Sequence, residues 1–192
     1  MMNNPLFLFC GRSSSGKTTI ADILEQKYGY KQVVSYTTRQ PRYEGEIAHI
    51  FVTEDEFDQL GELAAYTLYN GKRYGTTFKQ LEECSIYVID IPGIETLLQH
   101  DKINRPIVII YFDTTVYTRI NRMLNRGDSD MQIVARLLQD EKDDWHRKLE
   151  ALVWHNWHNN EKDIQMHVVN ANGSQTDVLE MVLYYMNQYM EG

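Results

Sequence analysis

The sequence predicts an α/β fold of three layers, in which helices cover both faces of a central parallel sheet. Almost wholly apolar segments recur at 6–10, 86–91 and 107–112, and stretches with helical periodicity separate them. Strands that are buried on both faces of a parallel sheet have continuous apolar sequences of this kind. A loop rich in glycine and serine joins the first strand to the first helix. Alternation of strands and helices is typical of this fold class.

Local signals place the elements in the first half of the chain. Apolar residues within 17–28 are spaced for one face of a helix, and Gly29 is suited to end it. Thr53, followed three residues later by Glu56, is a capping-box signature and predicts a short helix. Asn70-Gly71 predicts a hairpin turn. The remaining strands predicted in this half are 33–36, 63–69 and 73–77.

The second half continues the alternation of strands and helices. Pro92-Gly93 is expected to separate the apolar strand 86–91 from a helix that ends near His100. A long helical region at 115–158 is interrupted at 126–130, where glycine and charged residues concentrate. The elements predicted to complete the chain are a strand at 166–170 and an amphipathic helix at 175–190.

The composition indicates a globular protein with one well-buried core. The chain has 192 residues, 43% of them hydrophobic, and a formal net charge of −8, which argues against a protein that coats DNA or RNA. No apolar run approaches the roughly 18 residues of a transmembrane helix, and the N-terminus lacks the features of a signal peptide. The cysteines, Cys10 and Cys84, do not suggest a disulfide framework. The cytoplasm is therefore the expected compartment.

The loop after the first strand has the sequence GRSSSGKT, which matches the pattern G-x-x-x-x-G-K-[ST]. Glycine lets the main chain curl so that successive N–H groups point at a phosphate, and the following helix adds its positive N-terminal end. Lys17 can reach the β- and γ-phosphates of a triphosphate, and Thr18 can hold Mg²⁺. The residues predicted to bind the triphosphate are Gly11, Ser13, Ser14, Ser15, Gly16, Lys17, Thr18 and Thr19.

Two clusters of arginines are candidates for binding further phosphate groups. Arg39 and Arg42 follow the strand predicted at 33–36, and paired guanidinium groups suit bidentate binding of a phosphate or a carboxylate. The second cluster lies on two predicted helices around a turn, which fits a lid that closes over a transferring phosphoryl group. Either cluster taken alone is also compatible with a solvated surface. The arginines of the second cluster are Arg119, Arg122, Arg126 and Arg136.

Taken together, these segments resemble the guanylate kinase family of nucleoside monophosphate kinases over nearly the whole chain. GRSSSGKT is similar to the family's phosphate loop, and SYTTRQPR to its S-x-[ST]-T-R-x-x-R. YNGKRYGTT is similar to G-x-x-Y-G-[ST]. RMLNRG with the later Arg136 resembles R-x-x-x-R-G and a following arginine, and VVNAN resembles V-x-N. The segments occur in the family's order, which makes the resemblance much more specific than the phosphate loop alone.

The resemblance implies a three-layer P-loop NTPase fold made by a single domain, 1–192. A small β-rich insertion at 36–77 would bind the acceptor, and a helical lid would span about 119–140. The partners of the protein would be ATP and a small phosphorylated acceptor, with no nucleic acid or membrane. The protein would be a monomer or a homodimer. The core is expected at 1–35, 78–118 and 160–192.

The implied reaction is transfer of the γ-phosphoryl group of ATP to a nucleoside monophosphate, with Mg²⁺ as cofactor and GMP as the family's acceptor. No general base is required, because an ionised phosphate oxygen is already a nucleophile, so catalysis rests on positioning and charge. The catalytic residues would be Lys17, Arg39, Arg122, Arg126 and Arg136. Asn170 would line the adenosine side of the ATP site, and Thr18 would hold Mg²⁺. The acceptor would be bound by Ser35, Arg39, Arg42, Tyr74, Thr76 and Asp90.

The residues that read guanine in this family are not all retained. A glutamate in the strand before the Tyr-Gly hairpin corresponds to Ala65, and an aspartate that follows the strand-end Asp90 corresponds to Pro92. A tyrosine of the family's acceptor loop corresponds to His49. Because buried polar groups that pair with a base edge dominate such selectivity, the sequence retains the phosphate-handling residues but does not define the base.

Two other functions remain open at this point. A kinase of another small phosphate ester, such as a ribose phosphate, would need the same phosphate-handling residues and no base-reading residues. A guanylate-kinase-like module that binds protein ligands without catalysis is the other alternative. Such modules have typically lost residues of the phosphate-loop motif, whereas Lys17 and Thr18 are both present here.

Overall fold

The structure is a computed structural model that describes residues 4–41, 43–141, 144–159 and 162–190. These residues form two four-stranded sheets with helices packed around them. The strands are β1 (Leu6–Cys10), β2 (Tyr36–Thr37), β3 (Ile50–Phe51), β4 (Leu63–Tyr69), β5 (Lys72–Thr77), β6 (Ile86–Val88), β7 (Ile107–Asp113) and β8 (Ile164–Asn170). The helices are α1 (Lys17–Tyr28), α2 (Glu54–Asp58), α3 (Phe78–Glu82), α4 (Ile91–Leu98), α5 (Val116–Asn125), α6 (Asp130–Asp140), α7 (Trp145–Asn159) and α8 (Gln175–Asn187).

The central sheet has the strand order β6-β1-β7-β8, and all neighbouring strands are parallel. All residues of β1 are buried, and its pairing with β7 runs from Leu6 opposite Ile107 to Cys10 opposite Tyr111. In open parallel sheets, ligands bind beyond the carboxyl ends of the strands. The glycine-rich loop begins at that end of β1, between two neighbouring strands.

Successive residues of β1 point to opposite faces of the sheet and contribute to two separate cores. Phe7 and Phe9 pack with buried residues of α1 and α8 on one face. Leu6 and Leu8 pack with residues of α4 and α7 on the other. The two faces are therefore both covered by helices, which confirms the predicted three-layer α/β fold with a central parallel sheet.

The second sheet has the order β3-β2-β5-β4 and contains both parallel and antiparallel pairs. The hairpin β4–β5 turns at Asn70 and Gly71, which have φ values of +50° and +70°. The Thr96 hydroxyl of α4 donates to the main-chain oxygen of Tyr66 on β4, with 3.2 Å between the oxygens. The second sheet thus packs against a helix that starts at the carboxyl end of the central sheet.

Two strand boundaries differ from the sequence expectations. The strand expected at 33–36 is β2, Tyr36–Thr37, while Val33 makes a main-chain hydrogen bond to Ile86 at 2.8 Å. The strand expected at 86–91 ends at Val88. The reason is that Asp90 caps α4, where its carboxylate accepts the main-chain N–H of Gly93 at 2.9 Å.

Two helix expectations were also wrong in part. Pro92 and Gly93 lie inside the first turn of α4 rather than before it, since proline lacks an N–H that this turn would leave unpaired. The region 115–158 forms three helices, because the helical structure is interrupted after α6 as well as after α5. No helix within the described ranges is long and apolar enough to cross a membrane.

Candidate active site

The loop between β1 and α1 is forced into a tight turn by contact with the central sheet. Gly11 has a φ of +150°, and a Cβ at this position would lie 2.8 Å from the main-chain oxygen of Phe112 on β7. Gly16, at the N-cap of α1, has a φ of +100°. The spacing of glycines that suggested a phosphate loop therefore meets two steric requirements of this turn. The unpaired N–H groups of the first turn of α1 adjoin the loop.

Lys17 is folded against this loop. Its Nζ donates to the main-chain oxygens of Gly11 at 2.7 Å and Arg12 at 2.9 Å, and to the Ser15 hydroxyl at 3.1 Å. Burial lowers the pKa of Lys17 to about 8, because desolvation disfavours the charged ammonium. An anion bound beside it would favour the protonated form.

A cavity of about 500 Å³, here called the loop cavity, opens beside the phosphate loop. The Ser14 hydroxyl oxygen is buried and has no hydrogen-bond partner within the described residues, and Ser14 has a φ of +61°. Thr18 and Thr19 are exposed in the first turn of α1. The cavity is lined by Ser14, Ser15, Gly16, Lys17, Thr18, Thr19, Ile20, Arg122, Arg126, Gly173, Gln175 and Val178.

Arg122 connects α5 to the phosphate loop. Its guanidinium donates to the main-chain oxygens of Ser15 at 2.9 Å and Ala171 at 2.7 Å. Burial lowers the pKa of Arg122 below its ordinary value. The structure therefore brings Arg122 to the loop cavity and ties it to the main chain on both sides.

Arg126 and Arg136 converge on one carboxylate. Arg126 lines the loop cavity and forms a short ion pair with Asp128. Arg136 Nε lies 3.5 Å from the same carboxylate, and Arg136 does not line the loop cavity. The arginines expected in a lid are thus close together, and Asp128 neutralises part of their charge.

A buried ion pair links helices α5 and α6 to the phosphate loop. Arg119 is fully buried, and its Nη1 lies 2.7 Å from Asp140 Oδ2. The Asp140 carboxylate also accepts the main-chain N–H of Ser13 at 2.9 Å and the Ser13 hydroxyl at 3.2 Å. Sequence analysis missed Asp140, because helical periodicity does not reveal a contact with a loop 127 residues away.

A second cavity of about 280 Å³, here called the sheet cavity, lies between the central sheet and the hairpin β4–β5. Lys17 lines it as well as the loop cavity, so the two cavities meet at this residue. Residues 66–69 of β4 form one wall. The lining comprises Gly11, Ser13, Lys17, Ser35, His49, Tyr66, Thr67, Leu68, Tyr69, Tyr74, Tyr87, Val88, Ile89, Asp90, Pro92, Gly93, Gln139, Asp140 and Trp145.

Arg39 is held beside the sheet cavity by a bidentate ion pair. Its Nη1 and Nη2 lie 3.1 and 2.9 Å from the two carboxylate oxygens of Glu46. Burial acts to lower the pKa of Arg39, but hydrogen bonds and the charge of Glu46 outweigh it and raise the pKa. Tyr74, which lines the cavity, is also hydrogen-bonded to Arg39. Arg42, the other arginine expected here, lies outside the described residues.

The hydroxyl groups expected to contact an acceptor base are placed differently from one another. Ser35 lines the sheet cavity, with its hydroxyl 3.0 Å from His49 Nδ1. Thr76 is fully buried and donates to the Tyr87 hydroxyl at 2.8 Å. The structure therefore brings Tyr87 rather than Thr76 to the cavity, because Thr76 faces the space between the two sheets.

Asp90 lines the sheet cavity, as expected, but it also has a structural role. Its carboxylate caps α4 through the N–H of Gly93 and is hydrogen-bonded to Thr67. Burial raises the pKa of Asp90 above its ordinary value, although these hydrogen bonds act in the opposite direction. The carboxylate is thus held in a fixed orientation at the end of β6.

Two residues singled out in the sequence do not line the cavities. Ala65 is buried in the core at 1% exposure and does not line the sheet cavity; the nearby residues that do are 66–69. Asn170 does not line the loop cavity, because its side-chain oxygen accepts the side-chain and main-chain N–H groups of Asn172. Pro92 does line the sheet cavity.

Comparisons with known proteins identify the class of this fold and site. A scan against protein-family models matched none of them. The chain is 34% identical to the guanylate kinase of Geobacter metallireducens over 138 residues, which covers 65% of this chain and 66% of that protein. It is 34% identical to the guanylate kinase of Helicobacter pylori strain J99 over 160 residues, which covers 74% and 75% of the two chains.

A solved structure shares the fold. The guanylate kinase from Anaplasma phagocytophilum matches with a TM-score of 0.56 and 19% identity, covering 99% of this chain and 89% of that one. The fold and the phosphate loop are those of a P-loop protein, and the sequence relatives place it in the nucleoside monophosphate kinase class. The extent of the sequence identities shows that the chain belongs to the guanylate kinase family.

The contacts of Asp140 lead to a prediction about stability. Asp140→Ala should lower the free energy of unfolding by about 3 kcal/mol or more, because it removes the closest counter-charge of the buried Arg119. Denaturant unfolding of both proteins measures the difference. Glu180→Ala, which removes an exposed carboxylate from α8, is the control and should change the value by less than about 0.5 kcal/mol. Equal effects of the two substitutions would contradict the assignment.

Proposed function

We propose that this protein transfers the γ-phosphoryl group of ATP to the phosphate of a nucleoside monophosphate. The observation that carries the proposal is that Lys17 borders both cavities, so a phosphate in each would meet at one ammonium group. A phosphoryl group can pass between two bound nucleotides only where their terminal phosphates are adjacent. A site that only binds a nucleotide has no need of the second cavity.

On the donor side, the loop cavity would hold ATP. The main-chain N–H groups of Ser14 and Gly16, with the start of α1, would bind its phosphates. The buried, unpartnered Ser14 hydroxyl is a further donor for a phosphate oxygen. Gly173, Gln175 and Val178, rather than Asn170, would flank the adenosine.

The residues of the loop cavity fit Mg²⁺ bound together with a nucleotide. Thr18 offers a hydroxyl oxygen in the first turn of α1, which is the hard type of ligand that Mg²⁺ prefers. Among the described residues, no group of three or more His, Cys, Asp or Glu side chains could hold a metal, which suits an ion bound mainly by phosphates and water. When bound, Mg²⁺ would neutralise phosphate charge.

On the acceptor side, Arg39 and Tyr74 would bind the monophosphate. Glu46 holds the Arg39 guanidinium in place, and its Nε is a buried donor without a hydrogen-bond partner among the described residues. A guanidinium held in this way could donate one hydrogen bond from Nε to a phosphate oxygen and add its positive charge. Arg42, on the sequence resemblance, would add a second guanidinium.

Charge that develops during transfer would be stabilised from α5 and α6. Arg122 already adjoins the phosphate loop, and Arg126 lines the loop cavity. Arg136 would join them if phosphates displaced it from Asp128. Fixed positive groups around the transferring phosphoryl account for most of the rate enhancement in such reactions.

The decisive experiment is a coupled ADP-release assay with ATP and Mg²⁺. The acceptors are GMP, dGMP, AMP, CMP, UMP and ribose 5-phosphate, each tested separately. We expect ADP release to depend on a nucleoside monophosphate. Release with the sugar phosphate alone would favour a different kinase, and no release with any acceptor, at intact ATP binding, would indicate a binding module.

Lys17 provides the mutational test. Lys17→Met should lower kcat/KM by about 10²- to 10³-fold, because it removes the positive charge that both phosphates approach. Lys27→Met, at the exposed end of the same helix, is the control and should leave kcat/KM unchanged. Full turnover by Lys17→Met would refute the proposed role.

The lowered pKa of Lys17 predicts that ATP binding weakens at high pH. Because the pKa of Lys17 is about 8, the free protein holds Lys17 increasingly in its neutral form at pH values above this. Bound phosphates favour the charged form. The Kd for ATP should therefore rise by up to about tenfold per pH unit above pH 8. Titration calorimetry between about pH 7 and pH 10 tests this, with Lys17→Arg as the control, since a guanidinium stays charged throughout. A flat Kd in the wild type would contradict it.

A further inference from the structure

The tip of the hairpin β4–β5 meets the phosphate loop at Ser13. Ser13 and Tyr69 both line the sheet cavity, whereas the next two residues of the loop, Ser14 and Ser15, line the loop cavity. Tyr69 is the last residue of β4, directly before the turn, and it is hydrogen-bonded to Ser13. A side chain from the wall of the sheet cavity therefore contacts the loop that would bind the phosphates of the donor.

The hydrogen bonds around Ser13 run in one direction. The Ser13 hydroxyl donates to Asp140 Oδ1 at 3.2 Å, and the Ser13 main-chain N–H donates to Oδ2 at 2.9 Å. Because the hydroxyl hydrogen is used in the first of these bonds, the hydroxyl oxygen is left to accept from the Tyr69 O–H. Burial raises the pKa of Tyr69, so the phenol keeps the hydrogen that it donates.

The Asp140 carboxylate, which ends this chain of hydrogen bonds, is held in place from behind. It is buried, and its Oδ2 lies 2.7 Å from Nη1 of the fully buried Arg119. An ion pair at this depth keeps its geometry, since breaking it would leave an uncompensated buried charge. The hairpin, the phosphate loop and α6 are consequently joined by side chains that cannot reorient independently of one another.

The hairpin also has an anchor at its middle, away from the phosphate loop. The main-chain oxygen of Tyr66 accepts the Thr96 hydroxyl of α4 at 3.2 Å. This contact attaches the body of the hairpin to the central part of the protein. The bond from Tyr69 to Ser13 therefore decides where the tip lies rather than whether the hairpin forms.

We propose that Tyr69 is a positioning residue that couples the two cavities through its hydrogen bond to Ser13. The inference rests on the proposed function, because it takes ATP to bind the phosphate loop and the acceptor to bind the sheet cavity. ATP on the loop fixes Ser13, and Ser13 then fixes the hairpin tip before the acceptor binds. Each ligand thereby spares the other part of the cost of ordering the protein, so the two ligands bind cooperatively and the effect is reciprocal.

Titration calorimetry tests the coupling directly. The Kd of GMP is measured with and without a saturating non-hydrolysable imido analogue of ATP and Mg²⁺, and the ratio of the two Kd values is the coupling factor. Tyr69→Phe keeps the ring and removes the hydroxyl. We expect it to lower the coupling factor by about 3- to 10-fold, which corresponds to the loss of one hydrogen bond. Tyr184→Phe, the same change at a tyrosine that is 65% exposed on α8, is the control and should leave the factor unchanged.

Ser13→Ala extends the test to the other partner of the bond. It should lower the coupling factor at least as much as Tyr69→Phe does. In the Ser13→Ala background, Tyr69→Phe should have no further effect on the factor, because both substitutions remove the same hydrogen bond. Additive effects of the two substitutions would overturn the inference.

A purely structural role of Tyr69 gives a different result. A hairpin that is merely loosened would bind the acceptor more weakly by the same factor with and without the ATP analogue. The coupling factor would then stay at its wild-type value, which would overturn the inference.

The ADP-release assay separates this inference from the proposed function. ADP release by the wild type, together with an unchanged coupling factor in Tyr69→Phe, refutes the inference alone. No ADP release with any acceptor refutes the proposed function. If another monophosphate is turned over faster than GMP, it replaces GMP in the titrations.

Discussion

The buried contact between Arg119 and Asp140 is the constraint on which the geometry of the site depends. A guanidinium that is fully withdrawn from water requires a counter-charge, and Asp140 supplies it at 2.7 Å. The same carboxylate binds Ser13 of the phosphate loop through two hydrogen bonds. One interaction therefore ties α5, α6 and the loop together. Because α5 also carries Arg122, the position of that residue relative to the loop follows from the need to neutralise one buried charge.

The phosphate loop is in turn held by the central sheet rather than by its own sequence alone. Gly11 approaches the main chain of Phe112 so closely that any side chain would collide with it. Lys17 then folds back onto Gly11 and Arg12, where burial makes its charge costly in the free protein. A bound phosphate would relieve that cost. Strand packing and desolvation would therefore act together to make the loop a strong anion site.

Local signals and long-range contacts differ in how far the sequence could predict them. Helix α1 and strand β4 were predicted at their observed bounds, because periodicity and turn residues act within a few positions. The strand expected at 86–91 stopped at Val88, since the cap by Asp90 competes with strand pairing. The contact of Asp140 with the phosphate loop could not be foreseen, nor could the placement of Tyr87 rather than Thr76 on the sheet cavity. Each depends on side chains that only the folded chain brings together.

Arg126 and Arg136, the arginines expected in a lid, show how two like charges can be held together without substrates. Arg126 and Arg136 would repel each other if left unpaired, and Asp128 lies between them and bonds to both. Both arginines are partly exposed, so water and salt weaken their ion pairs with Asp128. The net contribution of these ion pairs to stability is therefore small. A triphosphate in the loop cavity carries more negative charge than one carboxylate and would compete for the same guanidinium groups. Asp128 therefore pairs with both arginines at little energetic cost, and a bound triphosphate would supply the charge that draws them towards the loop cavity.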